Sequence, residues 1–265
     1  MTARILIARG GDAGERLAAA VRARGGEPVV APLIVQAPPE DPGELATAMS
    51  LWNAGLYDWM VVTSAHGATA VADAGAGIGG AIAAVGPATA EALTARGLDV
   101  ALTPDGDFSA DGIAEALLDL LGEEPTRILL PVSEIAGTTF ERALREAGHR
   151  VDRVTAYRTL PAPETRETVE AAALVASGAC DAILVTSGSI AREVARRFAP
   201  LPDTTRVVSI GHPTARALRE AGVRVDAIAD PHTADGLLDA LERLDLLSAA
   251  EHPDLTPAPE SRTSP

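Results

Sequence analysis

Asp58-Trp59-Met60-Val61-Val62-Thr63-Ser64 is an apolar run ending in two hydroxyls, and its outline returns 123 positions later as Asp181-Ala182-Ile183-Leu184-Val185-Thr186-Ser187. Such runs read as short buried strands. Other stretches repeat in the same order. Ile5-Leu6-Ile7 returns as Ile128-Leu129-Leu130, again 123 positions on. Val85-Gly86 with Ala88-Thr89-Ala90 returns as Ile210-Gly211 with Pro213-Thr214-Ala215 at an offset of 125, and Ala110-Asp111-Gly112 as Ala234-Asp235-Gly236 at 124. Ordered matches at a nearly constant offset make the chain a tandem duplication, and this long period means two similar domains, not a solenoid. Strand and helix patterns alternate throughout, which indicates an α/β fold with parallel sheets. The same pattern predicts one strand over Pro28 to Val35 and another over Leu98 to Leu102.

Two proline-bounded stretches interrupt the repeat. Gln36-Ala37-Pro38-Pro39-Glu40-Asp41-Pro42 reads as a crossing. Val154-Thr155-Ala156-Tyr157-Arg158-Thr159 is rich in β-formers, holds one of two tyrosines, and is followed by Pro161 and Pro163. A hinge and the chemistry are both expected there.

Composition limits the partners. The chain has 265 residues, 47% of them hydrophobic but only 3% aromatic, so its cores must be built from Ala, Val, Leu and Ile. The net charge of −15 argues against nucleic acid, which needs a surplus of Lys and Arg. A small anionic ligand remains compatible, because a local field can oppose the net charge. Cys180 is the sole cysteine, so the chain has no internal disulfide and no thiolate cluster. No apolar run reaches the ~18 residues of a membrane span. Met1 to Arg9 lacks a signal-peptide layout, so a cytoplasmic protein is expected. Residues 247–265 are poor in apolar side chains and read as a disordered tail.

Four junctions follow apolar strands and open helices: Thr63-Ser64-Ala65, Gly86-Pro87-Ala88-Thr89, Thr186-Ser187-Gly188-Ser189 and Gly211-His212-Pro213-Thr214. Such junctions lie at the carboxyl ends of parallel strands, where open α/β sheets bind ligands. Their free N–H groups and small hydroxyls suit anions. A site between the domains is the expectation. Gly75, Gly77 and Gly80 spell GxGxxG, but the run follows a helix instead of a strand, so it is read as a flexible loop and not a dinucleotide site. The five histidines show no metal-ligand spacing. No nucleophile elbow, phosphate loop or zinc motif is present.

Taken together, the opening strand ending in Arg9, Pro32-Leu33, Val62-Thr63-Ser64, Val85 to Ala90, Ala156-Tyr157-Arg158-Thr159, Val185 to Ser189 and Ile210 to Ala215 resemble the uroporphyrinogen-III synthase family over residues 1 to about 245. The resemblance implies two Rossmann-like α/β domains: one discontinuous, 1–35 plus 162–246, the other 42–154, joined by a two-stranded β connector at 36–41 and 155–161. This replaces the two consecutive halves that the duplication alone suggests. It also implies the cyclisation of hydroxymethylbilane, a linear tetrapyrrole polycarboxylate, with inversion of the last ring and loss of water, with no metal or organic cofactor; a monomer is expected. Tyr157 takes the position of the family's tyrosine, placed to help the hydroxyl leave. Arg9, Thr63, Ser64, His66, Thr89, Ser187, Ser189 and Thr214 would bind the substrate, with Arg158 as a further cation. The chain departs from the family pattern at His66 (often Asn), Gly188 (usually Pro), His212-Pro213 and the Pro131 to Glu134 loop. The alternative from a different class is a non-catalytic two-lobed module that binds a small anion; a nucleotide-dependent enzyme is disfavoured by the missing phosphate loop.

Overall fold

The apolar runs become strands and the amphipathic stretches become the helices between them. Residues 2–122 and 124–248 are described in this computed structural model. In chain order they form β1 (Arg4–Ile7), α1 (Gly11–Ala23), β2 (Glu27–Val30), β3 (Ile34–Ala37), α2 (Pro42–Asn53), β4 (Trp59–Val62), α3 (Ala65–Asp73), β5 (Ala81–Ala84), α4 (Pro87–Thr94) and α5 (Ala110–Leu120). Then come β6 (Arg127–Ser133), α6 (Thr139–Glu146), β7 (Arg150–Pro161), α7 (Arg166–Ala176), β8 (Ala182–Val185), α8 (Gly188–Phe198), β9 (Arg206–Ser209), α9 (His212–Glu220), β10 (Ala227–Ile228) and α10 (Ala234–Arg243).

The chain divides into two units, Met1–Val35 with Pro161–Pro265, and Gln36–Leu160. The first is built on the sheet β10-β9-β8-β1-β2 and the second on the sheet β3-β7-β6-β4-β5. Pairing is parallel from β2 through β1, β8 and β9 to β10, and from β7 through β6 and β4 to β5. The protein is therefore α/β with two parallel sheets. Each sheet has a core on both faces, which is why the strands read as unbroken apolar runs. On β1, Leu6 joins one core while Ile5 and Ile7 join the other. On β4, Met60 and Val62 face one core and Val61 the opposite one.

The duplication is visible atom by atom. Asp58 Oδ2 accepts from the Arg127 N–H at 2.8 Å, and Asp181 Oδ2 accepts from the Arg4 N–H at 2.7 Å. Each aspartate also donates its own N–H to the carbonyl of that same arginine, at 2.9 Å in both units. β1 and β6 thus hold equivalent places, as do β8 and β4. The chain supplies them in different order: β1 comes before β8, but β4 comes before β6. One unit is a circular permutation of the other.

Four sequence expectations change. The strand over 28–35 is two strands in different sheets, β2 and β3. Pro32 lies between them and cannot donate to a ladder. Residues 98–102 form no strand; Ala83 and Leu102 make a single parallel bridge. The glycine-rich loop is pinned, not flexible. Trp52 Nε1 donates to the Gly77 carbonyl at 3.0 Å, and Asn53 bonds both the Gly75 carbonyl and the Gly77 N–H. Residues 247 and 248, expected to open a disordered tail, are packed or hydrogen-bonded. Leu247 packs beside a core cluster, and the Ser248 N–H donates to the Arg24 carbonyl at 3.3 Å. The rest of that tail, 249–265, lies outside the described residues.

Candidate active site

Parallel strands end on one edge, so in the Gln36–Leu160 unit the turns after β4 and β5 open side by side. Ser64 is the N-cap of α3, and its Oγ accepts from the Gly67 N–H at 2.9 Å. The same oxygen lies 2.9 Å from the Tyr157 hydroxyl, and either group can donate. A hydroxyl has one proton and two acceptor sites. Ser64 can therefore accept from the helix and donate to the phenol, leaving the phenol proton for another acceptor. The His66 ring sits 5.9 Å from the Tyr157 ring, tilted by 38°. Thr63 is the half-buried residue just before this cap.

A strand irregularity aims the phenol. β7 follows β6 residue for residue from Arg127↔Arg150 to Val132↔Thr155, then skips to Ser133↔Tyr157. Ala156 is the extra residue of a bulge, a device that turns the next side chain. Ala156 and Tyr157 consequently both pack on the core that contains Val62 and Ala68.

The other unit repeats the corner without a tyrosine. Ser187 caps α8 through Ile190 N–H at 3.2 Å, and Ser189 Oγ accepts from Arg192 Nη2 at 3.4 Å. Arg9 is half-buried beyond β1. Thr89 and Thr214 occupy matching first-turn positions in α4 and α9, and both are buried, at 4% and 5% exposure. Their side chains serve packing; what those turns expose is backbone behind the glycine caps Gly86 and Gly211.

The nine expected site residues thus fall into two sets. Tyr157, Ser64 and His66 meet, with Thr63 adjoining and Thr89 on a neighbouring helix. Arg9, Ser187, Ser189 and Thr214 belong to the other unit. Arg158 is already engaged: its Nε donates to the Pro38 carbonyl and its Nη1 pairs with Glu40 at 2.9 Å. Two buried hydroxyls were not among the expected site residues, although Thr186 belongs to one of the four junctions. Thr186 Oγ1 and Ser209 Oγ are buried without a hydrogen-bond partner among the described residues. Thr186 could have been found, since it is the counterpart of Thr63. Ser209, at the end of β9, carries no signal beyond its strand.

A cavity of about 490 Å³ in the Gln36–Leu160 unit lies elsewhere, lined by Asp41, Glu44, Thr47, Tyr57, Asp152 and Arg153 among others. Three carboxylates make it a poor host for a polycarboxylate. Burial and the Asp152 hydrogen bond push the Tyr57 phenol up from its ordinary value, while Arg127 lies over the ring at 4.6 Å. Among the described residues no group of three or more His, Cys, Asp or Glu is placed to hold a metal ion, and no helix is long and apolar enough to cross a membrane.

A doubled parallel α/β chain with hydroxyl-capped helices at its strand ends defines a class of protein suited to anionic small molecules. The sequence matches the family model described as "Uroporphyrinogen-III synthase HemD" over residues 15–239, and the chain belongs to that family. The activity that goes with it is uroporphyrinogen-III synthesis, a cyclising lyase step of tetrapyrrole biosynthesis. A putative uroporphyrinogen-III synthase of Archaeoglobus fulgidus is 28% identical over 190 residues, 70% of this chain and 79% of that protein. Two solved structures share the fold. A mutant uroporphyrinogen-III synthase from Thermus thermophilus aligns with TM-score 0.60 at 21% identity, over 91% of this chain and 98% of its own. The Helicobacter pylori enzyme aligns with TM-score 0.61 at 16% identity, over 92% of this chain and all (100%) of its own.

Proposed function

We propose that this chain closes hydroxymethylbilane at the corner formed by Ser64, His66 and Tyr157. The observation that carries the reading is the 2.9 Å contact between the Tyr157 and Ser64 hydroxyls at the head of α3. In that arrangement the phenol donates to the departing hydroxyl of the substrate. The carbon–oxygen bond breaks, water leaves, and an electron-rich cation remains. The cation is then captured by the carbon of the last pyrrole that already carries the bridge to its neighbour. That bridge breaks and re-forms at the ring's free carbon, whose proton is lost and restores the phenol, and the ring ends inverted. The unflipped isomer is the simpler outcome, so the protein's main work is orientation, which can contribute up to ~7–11 kcal/mol.

Substrate carboxylates are held by local donors, against a net charge of −15. The capped ends of α3, α4, α8 and α9 supply N–H groups, each end favouring an anion by ~0.3–1 kcal/mol. Thr63, Ser64, Thr89, Ser187, Ser189 and Thr214 frame those ends, with Arg9 as the cation. Burial of Thr89 and Thr214 makes their share one of backbone placement. The protein acts as a monomer in the cytoplasm, without nucleic acid.

Supplying hydroxymethylbilane tests the reading. Type III product dominating over type I supports it; tight binding without turnover favours a plain binding module. Binding is expected to weaken as salt rises, since exposed charges are screened within ~10 Å at 0.1 M. A titration flat in salt counts against capture of carboxylates by exposed donors.

A further inference from the structure

Two planar rings occupy matching places in the two units. Phe108 precedes Ser109, the N-cap of α5, and His232 precedes Thr233, the N-cap of α10. They stand 124 positions apart, the offset at which Ala110-Asp111-Gly112 returns as Ala234-Asp235-Gly236. Each ring rests against a glycine that caps a neighbouring helix. A Cβ on Gly86, at the head of α4, would lie 3.1 Å from Phe108 Cγ; one on Gly211, at the head of α9, would lie 3.3 Å from His232 Cγ. Neither glycine is needed for its backbone angle, since φ is −179° and −176°, extended conformation open to any residue. What these glycines supply is a missing side chain, so that a ring can lie on the cap.

Both residues are nonetheless exposed. Phe108 is 49% exposed, and His232 is exposed with its ring edge-to-face to His212 at 5.5 Å. One exposed phenylalanine needs no explanation. The same placement in both copies, with planarity kept while the residue type changes, is not a packing requirement of either core. The location matters as well. β4 and β5 are neighbours, and adjacent strands lie about 4.8 Å apart. The Phe108 ring over Gly86 is therefore one strand along from the Ser64 cap that holds Tyr157.

We infer that Phe108, with His232 as its counterpart in the other unit, is a specificity-determining contact that stacks on a pyrrole ring of the substrate. The glycine-capped helix end beside it takes a carboxylate from that ring's rim. A pyrrole ring with acidic side chains has a flat face and a charged edge, and this pairing of flat ring and N–H groups matches both. Offset stacking of flat rings is favourable at centroid distances of about 4.5–7 Å. The inference rests on the proposed placement of the substrate at the Ser64 corner.

Steady-state kinetics with hydroxymethylbilane test it, alongside product isomer analysis and thermal melting. Phe108→Leu, which keeps apolar bulk but loses the ring, should raise KM about threefold to tenfold and leave kcat within about twofold. Phe108→Tyr should stay near wild type. His232→Leu and His232→Tyr should split in the same way. Gly86→Ala, which keeps the backbone angle but displaces the ring, should behave like Phe108→Leu. An active wild type whose KM is unmoved in both leucine variants overturns the stacking contact alone. A wild type that yields only type I product overturns the placement of the substrate, and this inference with it. Should Phe108→Leu fail to melt cooperatively, the His232 pair decides.

Discussion

Ser64 Oγ serves a helix and a phenol with one oxygen. The two roles separate by substitution. Tyr157→Phe removes only the outer hydroxyl and should cut kcat by about 10²-fold, with the melting temperature within about 4 °C of wild type, as expected for one lost hydrogen bond. Ser64→Ala also uncaps α3 and should cost about 1 kcal/mol of stability. A Tyr157→Phe enzyme with wild-type turnover would take the phenol out of the chemistry. Cys180 provides a control on folding. It is buried ahead of β8, and burial pushes its thiol up to about 11. A thiol reagent near neutral pH should therefore leave it unmodified until the chain unfolds. Tyr157 was readable from the sequence because an aromatic hydroxyl in an extended, proline-bounded stretch is conspicuous. The bulge at Ala156 was not, since nothing in Thr155-Ala156-Tyr157 marks which residue lacks a cross-strand partner. The burial of Thr89 and Thr214 was likewise hidden: a first-turn threonine looks the same whether its hydroxyl meets solvent or core.

Among the elements, α8 carries the clearest electrostatic device. Burial works to raise the Glu193 carboxyl, but hydrogen bonds from Arg196 and Arg197 outweigh it and hold the group below the usual range. Arg197 extends from Glu193 at 2.9 Å to the Ala162 carbonyl, and the Ala162 N–H donates to the Leu33 carbonyl at 2.8 Å. The chain is thus pinned where it re-enters its first unit. A depressed carboxyl contributes stability that is full above its unfolded value of about 4.3 and is lost as pH falls through the lower folded value. Glu193→Gln should cost about 2 kcal/mol near neutrality. Its deficit against wild type should shrink in melts run progressively below about pH 4. A deficit that stays constant into acid would assign the loss to packing instead of charge. The division of 28–35 between two sheets shows the limit of local patterning. Val29-Val30 and Ile34-Val35 are equally good strand formers, and only Pro32 between them hints at the break.

For the whole molecule, the duplication was readable because equal duties keep equal residues. Asp58 and Asp181 each bind the N–H of the arginine that opens the neighbouring strand. Asp58→Asn and Asp181→Asn should therefore destabilise by similar amounts, roughly 1 kcal/mol each given their partial exposure, with melting of the two variants as the measurement. Markedly unequal losses would mean the copies have diverged in how they use this bond. The permuted strand order was not readable from the repeat, because a constant offset looks the same whether the halves fold separately or exchange pieces. The family resemblance implied a discontinuous first domain; the order of strands within each sheet is seen only in the structure.

That permutation has an effect on a growing polypeptide. β1 needs β8 as its flank, yet the whole stretch from Gln36 to Leu160 is synthesised between them. The insert can finish folding while Ile5, Leu6 and Ile7 still lack that neighbour. An emerging chain can therefore complete this middle part first, while β1 waits with one side unpaired, open to foreign strands until β8 has left the ribosome.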